Sequence, residues 1–322
     1  MTGKSLWHLL ALALALVSAQ GPARAADDYP NKQVRIISPY AAGGTPDIVA
    51  RAIAEQLTQQ FKQTFFVENR TGANGTIASD SVASSPPDGY TLLLASDGPI
   101  LITPLLHHDE DPLRRLVPVN LSAQTAFVLM ARTDMNVHTV ADVVALAKKQ
   151  PLTFGSAGVG SQAHLAGELF RSRAGINLVH VPYKGATEAI TDLVGKRIDL
   201  MFGGVPPSLP FIAAKTVRPI AVTSEVRSAK LPSVPTFAEE GFPGYRVIAF
   251  FGIMAPAGTP EAIINKLNDA ISEALKSPEI VTRLDKVGAD IVNEGPVAFG
   301  KQLKSDQAMW AALIKQTGLA SQ

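Results

Sequence analysis

The 322-residue chain carries 29 Lys and Arg against 28 Asp and Glu, a formal charge of +1, with both signs mixed along its length. That balance leaves no basic stripe for nucleic acid. The chain has no cysteine, which excludes a disulfide framework, a lipid-anchored Cys, thiolate metal sites and a thiol nucleophile.

Lys4, the apolar run LLALALALVSA (residues 9–19) and the small residues Ala23 and Ala25 are the parts of a cleaved secretory signal. The run is shorter than the roughly 20 residues that a membrane-spanning helix needs. Residues 1–25 are therefore read as a signal peptide cut after Ala25, which in a Gram-negative cell delivers the protein to the periplasm. What remains is long enough for a core without disulfides and for two domains.

The mature chain alternates strand and helix patterns. QVRIISPY (33–40) reads as a buried strand, followed by a helix with Val49, Ala52, Ile53, Leu57 and Phe61 at helical spacing. TFFVENR and YTLLLAS (90–96) are further strands. After a poorly patterned segment, VPVNLSAQTAFVLMAR (117–132) reads as a long strand and TVADVVALAKKQ as a helix. LTFGS, LVHVP, IDLMFGG and VRPIAV (217–222) continue the alternation, and YRVIAFFGIMAP is a second long β run. Two helices close the chain, one with Ile263, Leu267, Ile271 and Leu275 on one face and one over residues 299–317.

Such βαβ units predict an α/β protein with mainly parallel sheets flanked by helices. The long runs near residues 127 and 247 are the natural crossings between lobes. The expected division is 26–128 with 246–322 in lobe 1 and 129–245 in lobe 2. Ligands of open parallel sheets sit beyond the carboxyl ends of the strands.

Three strand–turn–helix junctions could face one site. In YAAGGTPDIVAR, Gly43 and Gly44 allow a tight turn and close approach, Thr45 is an expected N-cap and Pro46 suits the first helical turn. A helix starting this way directs free N–H groups at a carboxylate without a cationic side chain. Asp47 either contacts the ligand or complements the helix dipole. The second junction, FGSAGVGSQAHLAGELF, supplies Ser156, Gly158, Gly160, Ser161 and His164. It matches a dinucleotide fingerprint in its glycines, but INLVHVPYKG lacks the acidic residue that a ribose needs, and no phosphate-loop Lys follows. The third, VPYKGATEAITDLV, supplies Gly185, Ala186 and Thr187, with Thr187 able to cap. Lys184 reads as a solvated surface lysine. Tyr40, Ala42 and, at the end of the third strand, Ser96 complete the candidate ligand contacts.

Reaction chemistry is thin. There is no Gly-x-Ser-x-Gly elbow. HHDEDP (107–112) has a metal-like composition but no ligand spacing, and reads as a polar loop. His164 and Glu168 are four apart without a third ligand nearby, so His164 is expected to bond its own loop. Neither catalytic residue, metal nor cofactor is expected.

GGTPDIVAR, VENRTGANGTIASDSVASSPPDGYTLL, FGSAGVGSQAHLAGELF, AGINLVHVPYKGA, DLVGKRIDLMF, AVTSEVRSAKLPSVPTFAEEGFPGY and GIMAPAGTP run almost end to end. With them the chain resembles the substrate-binding proteins of tripartite tricarboxylate transporters, the Bug (TctC-like) family of periplasmic receptors. The resemblance implies a two-lobed periplasmic binding protein of type II, closing like a Venus flytrap on a small organic carboxylate. It implies that main-chain groups, small side chains and waters at residues 40–45, 156–161 and 185–187 hold the acid. A monomeric receptor, not an enzyme, would then deliver it to the transporter's membrane subunits. A sensor component docking on a signalling protein, or an exported enzyme using the same cleft, are the alternatives.

The sequence departs from the family in places. Ala41 and Ala42 stand where relatives often have proline, and LLHHDEDPLRRLVPV replaces a Leu-Pro-Tyr-Asp segment. Glu188 occupies a position where proline is common, which favours a monocarboxylate or an amino-bearing acid over a tricarboxylate.

Overall fold

The computed structural model describes residues 28–107 and 109–319. The signal segment and its cleavage site lie outside the described residues. Strand β1 (Val34–Ser38) is buried at all but one position, and helix α1 (Thr45–Phe61) lays Val49, Ala52, Ile53 and Leu57 against the sheet. β2 (Phe65–Asn69), α2 (Thr76–Ala83) and β3 (Thr91–Ala95) follow. Both β2 and β3 pair parallel to β1, with Ile36 opposite Val67 and Leu92. A π-helical turn (Gly98–Ile102) then runs into α3 (Thr103–His107).

The 17-residue strand β4 (Leu116–Arg132) organises the rest. Beyond it come α4 (Val140–Ala147), β5 (Leu152–Ser156), α5 (Gln162–Ala174), β6 (Leu178–Pro182), α6 (Ala186–Val194), β7 (Leu200–Gly204), α7 (Val205–Ala213) and β8 (Val217–Val222). The chain returns through β9 (Ile248–Pro256) and ends with α8 (Glu261–Ala274), α9 (Pro278–Lys286), β10 (Asp290–Glu294) and α10 (Pro296–Thr317).

Strand order is β2-β1-β3-β9-β4-β7-β5-β6, with β8 and β10 also paired to β4. The amino-terminal part of β4 pairs with β9 and β10, and its carboxyl-terminal part with β7 and β8. Among the named strands, parallel pairing falls in the βαβ units around β1 and β5, as the alternation predicts. The pairs made by β4, and β3 with β9, are antiparallel, because the crossing strands run out of one sheet and back. The sheet is therefore mixed, with parallel pairs kept in each half.

Apolar burial is continuous across that crossing. Ile37, Leu93, Leu121, Phe250 and Trp310 share one cluster with Leu129, Phe154, Phe170, Phe202 and Phe237. α1, α8 and α9 cover the other face of the first half, and α6 with α7 that of the second. Fully burying a side chain of this size contributes about 1.5–3 kcal/mol, so this packing carries the stability that no disulfide supplies. Among the described residues, no helix is long and apolar enough to cross a membrane.

Two helix starts differ from expectation. The N-caps of α1 and α6 are Gly44 and Gly185, neither with a side-chain cap bond, and Thr45 and Thr187 lie inside the helices. The third helical residue reaches back over the turn instead. HHDEDP contributes Asp111, whose carboxylate caps the turn at Pro112–Arg114 and accepts from Gln307 at 3.0 Å.

Candidate ligand-binding site

The first loop is pinned by Asp47. Its Oδ2 accepts Gly43 N at 3.0 Å and Arg51 Nε at 2.8 Å, and its Oδ1 accepts Asn69 Nδ2 at 2.7 Å. Asn69 also donates to Tyr40 O at 2.9 Å, tying the end of β2 to the same turn. Burial would raise the Asp47 carboxyl, but the bonds from Arg51, Asn69 and Gly43 outweigh it and hold it below the usual range. Asp47 thus holds the loop, the helix-start role, with its carboxylate already engaged. Gly43 sits at φ +89° with open space around it, so it is the backbone angle that requires glycine there.

Tyr40 OH and the buried Ser96 Oγ make a short hydrogen bond across this end of the sheet. Burial pushes the Tyr40 phenol up to about 12 despite that bond. Ala42, Gly43 and Gly44 are exposed. Next to Ser96, Asp97 is buried and accepts Phe250 N at 2.9 Å. Burial, reinforced by Asp306, drives its carboxyl to about 8.

The second loop rests on two stacked imidazoles. His164 and His180 lie 3.8 Å apart at 15°, with the Phe154 ring beyond them. His164 Nδ1 accepts Gly160 N at 3.1 Å, and Ser161 Oγ caps α5 by accepting His164 N at 3.2 Å. Ser156 is fully buried, 2.7 Å from His180 Nε2, and its Oγ accepts Gly158 N at 3.2 Å. His164 does bond its own loop, and Ser156 shapes the turn from below.

The third loop leans on the second through Tyr183 N, which donates to Ser156 O at 3.1 Å. Glu188 Oε2 accepts Lys184 N at 3.2 Å, while Ala186 and Thr187 stand exposed and Gly185 is half-buried. The structure therefore gathers Tyr40, residues 42–45, Asp47 and Ser96 in one group, and Ser156, Gly158, Gly160, Ser161, His164 and residues 185–187 in another. The start of the second group reaches the first half of the chain. Leu106 Cδ1 lies 2.8 Å from where a Gly160 Cβ would be, and Gln162 Nε2 donates to Ile248 O at 3.4 Å. A cavity of about 620 Å³ beside the crossing, lined by Gln124, Arg246, Lys301 and Asp306, contains none of the residues named from sequence.

Asn69, Asp97 and His180 were not foreseen. Asn69 ends a parallel strand, where ligand-side residues concentrate, so that signal was available. His180 sits in LVHVP, which carries only a strand pattern.

The family described as Tripartite tricarboxylate transporter family receptor matches residues 49–319. The chain belongs to that family. This TctC receptor is 35% identical to Protein BugT of Bordetella pertussis over 318 residues, 97% of this chain and 98% of that protein. Its fold superposes on R. palustris Rpa4515 with adipate at a TM-score of 0.76 and 34% identity, covering 90% of this chain and 99% of that one. MatC (Rpa3494) from Rhodopseudomonas palustris with bound malate follows at 0.71 and 28% identity, covering 89% and 100%. The protein is thus a solute-binding receptor with the periplasmic binding-protein fold. The family is one of receptors, not enzymes, and neither the sensor nor the enzyme alternative is favoured.

Proposed function

We propose that this receptor binds a small organic acid through one carboxylate, in a cleft between a lobe of residues 26–128 with 246–322 and a lobe of residues 129–245. It acts in the periplasm as a monomer, leaves the acid unchanged, and hands it to the membrane subunits of a tripartite transporter. The observation that carries this reading is a donor-rich, cation-poor set of loops. The loops ahead of α1, α5 and α6 present amide and hydroxyl groups, while the neighbouring Arg51 and Arg171 are paired with Asp47 and Glu168. Main-chain groups and bridging water suffice for a carboxylate held reversibly. The candidate contacts are Tyr40, Ala42, Gly43, Gly44, Thr45, Ser96, Gly158, Gly160, Ser161, Gly185, Ala186 and Thr187, with Asp47, Ser156 and His164 shaping the loops from behind.

Adipate and malate, named with the two relatives, each carry two carboxylates. Here the exposed Glu188 argues for a neutral or amino-bearing second end. Repulsion between like charges about 5 Å apart costs about 3 kcal/mol at an effective dielectric of about 20. A thermal-shift panel of mono-, di- and tricarboxylates and amino acids on the mature chain tests both parts. A ligand at about a hundred times its Kd adds about 2.7 kcal/mol of stability. Tightest binding by citrate, adipate or malate overturns the charge assignment alone. No shift with any acid overturns the receptor reading.

A further inference from the structure

The three candidate loops are held by one device used three times, and the middle copy differs in charge. In each, the third helical residue accepts the amide of the residue before the N-cap. Asp47 takes Gly43 N at 3.0 Å, His164 takes Gly160 N at 3.1 Å, and Glu188 takes Lys184 N at 3.2 Å. Two of these acceptors are carboxylates: Asp47 is paired with Arg51 at 2.8 Å, and Glu188 is exposed. The third is an imidazole.

An imidazole accepts at Nδ1 only when that nitrogen is unprotonated, so the ring is neutral with its proton on Nε2. The surroundings enforce this state. His164 is 3% exposed, and burial, with Arg171 second, lowers it to about 4. His180, stacked on it from β6, is likewise lowered to about 4, first by burial and then by His164. From α5 itself, Glu168 Oε1 stands 3.9 Å from Nε2, and the other Glu168 oxygen is taken by Arg171 at 2.6 Å. β5 offers only the uncharged Phe154 and Ser156 to the pair. His180 fixes the ring plane and, through Ser156, the Gly158 side of the same turn. Gly160 sits at φ +76°, with Leu106 pressed against it, so this turn is constrained from both sides.

We propose that His164 is a positioning residue for the ligand carboxylate. It fixes the Gly160 amide and the turn ahead of α5 through a neutral acceptor, so this turn meets the acid without an added negative charge of its own. The inference rests on the receptor reading above. It also separates two roles that one histidine could have: an imidazolium touching the carboxylate would strengthen binding as pH fell through about 6.5, whereas a neutral acceptor gives a flat profile there.

Four variants decide it, with adipate, malate, acetate and 4-aminobutyrate as probes in calorimetric titrations. Asn places an oxygen where Nδ1 was, so His164→Asn keeps affinity within a factor of about three, its amide acceptor being equivalent. His164→Ala and His164→Gln, which lack an acceptor at that point, lose about tenfold, the worth of one good hydrogen bond. His164→Asp keeps the bond and adds the charge, and loses about a hundredfold by repulsion. Equal affinity in the Asp and Asn variants, or a wild-type affinity that rises on acidification to pH about 5.5, overturns the proposal. A readout without ligand accompanies these: hydrogen exchange at the Gly160 amide slows in wild type and His164→Asn and quickens in His164→Ala and His164→Gln. Nitrogen NMR of His164 shows Nδ1 unprotonated. If wild type binds none of the probes and shows no shift in the wider panel, the receptor reading fails. If it binds but Gly160 exchange is the same in all variants, the positioning role fails alone.

Discussion

Thr223 and Phe127 bond each other through backbone and side chain, and Thr223 Oγ1 also stands 3.2 Å from Phe127 O. Thr223 N donates to Phe127 O, and Phe127 N donates to Thr223 Oγ1, both at 2.9 Å. The Thr223 hydroxyl also reaches Val247 O, and Val247 N returns a bond to Thr223 O at 3.1 Å. One fully buried side chain therefore ties the outgoing strand, the end of β8 and the returning chain at the point where the sheet changes halves. The knot joins the two halves of the sheet through one hydroxyl.

Replacing Thr223 by Val keeps the shape and removes the hydroxyl. Phe127 N and Val247 O then lose a partner inside the core, at about 1–3 kcal/mol for each buried group left unsatisfied. The expected result is a clear fall in melting temperature for Thr223→Val and a small one for Thr223→Ser. A Val variant as stable as wild type would show that the knot carries no load.

Asp47→Ala frees Gly43 N, Asn69 and Arg51 together. Arg51 is partly exposed and keeps its bond to Asn69 Oδ1, so the stability cost stays at about 1–3 kcal/mol, set by the lost hydrogen bonds. Amide exchange should quicken at residues 41–44 while residues 158–161 stay protected. Loss of protection in both loops would mean that they are not held independently. The carboxyl is depressed in the fold, so its contribution is present above the unfolded value near 3.8 and is lost as pH falls through the folded one.

Asp97 has the opposite sign. Its folded value of about 8 lies above the unfolded value of 3.8, so the folded chain holds the extra proton between them. Stability is full below the lower value and falls as pH rises toward 8, by up to about 1.4 kcal/mol per pH unit. Asp97→Asn can still accept Phe250 N, so melts should show the variant gaining on wild type as pH rises from about 5 to about 9. Parallel melting curves across that range would contradict a buried, protonated Asp97.

Gly167 ties packing to the site. A Cβ there would stand 2.1 Å from Phe154 Cε2, on the ring that underlies His180 and His164. Gly167→Ala is expected to cost about 1–3 kcal/mol by overpacking and to weaken ligand binding without touching a loop residue. Unchanged affinity in a folded Gly167→Ala protein would show that the imidazole stack tolerates a shifted base.

These residues also mark what was legible in the sequence. β1, α1, β5 and the long β4 announce themselves because apolar spacing records which face is buried. The mixed pairing around β4 does not, since no local pattern says which strand a crossing segment meets. The short β10, half-buried along most of its length, gives too little alternation to see. Thr45 and Thr187 look like caps by type, yet Asp47 and Glu188, each three positions after a glycine N-cap, take over, a competition settled only by side-chain reach. His164 was visible as a loop-bonding residue. His180 was not, because its partners Ser156 and His164 are distant in sequence.

The central claim is reversible capture of an organic acid, and the most direct measurement is calorimetric titration of the mature protein with the strongest stabiliser from the carboxylate panel. The acid is recovered and quantified after long incubation. One-to-one binding at micromolar Kd or tighter, with the acid intact, is the predicted result. No binding by any acid in the panel, or an acid consumed by the protein, would contradict it.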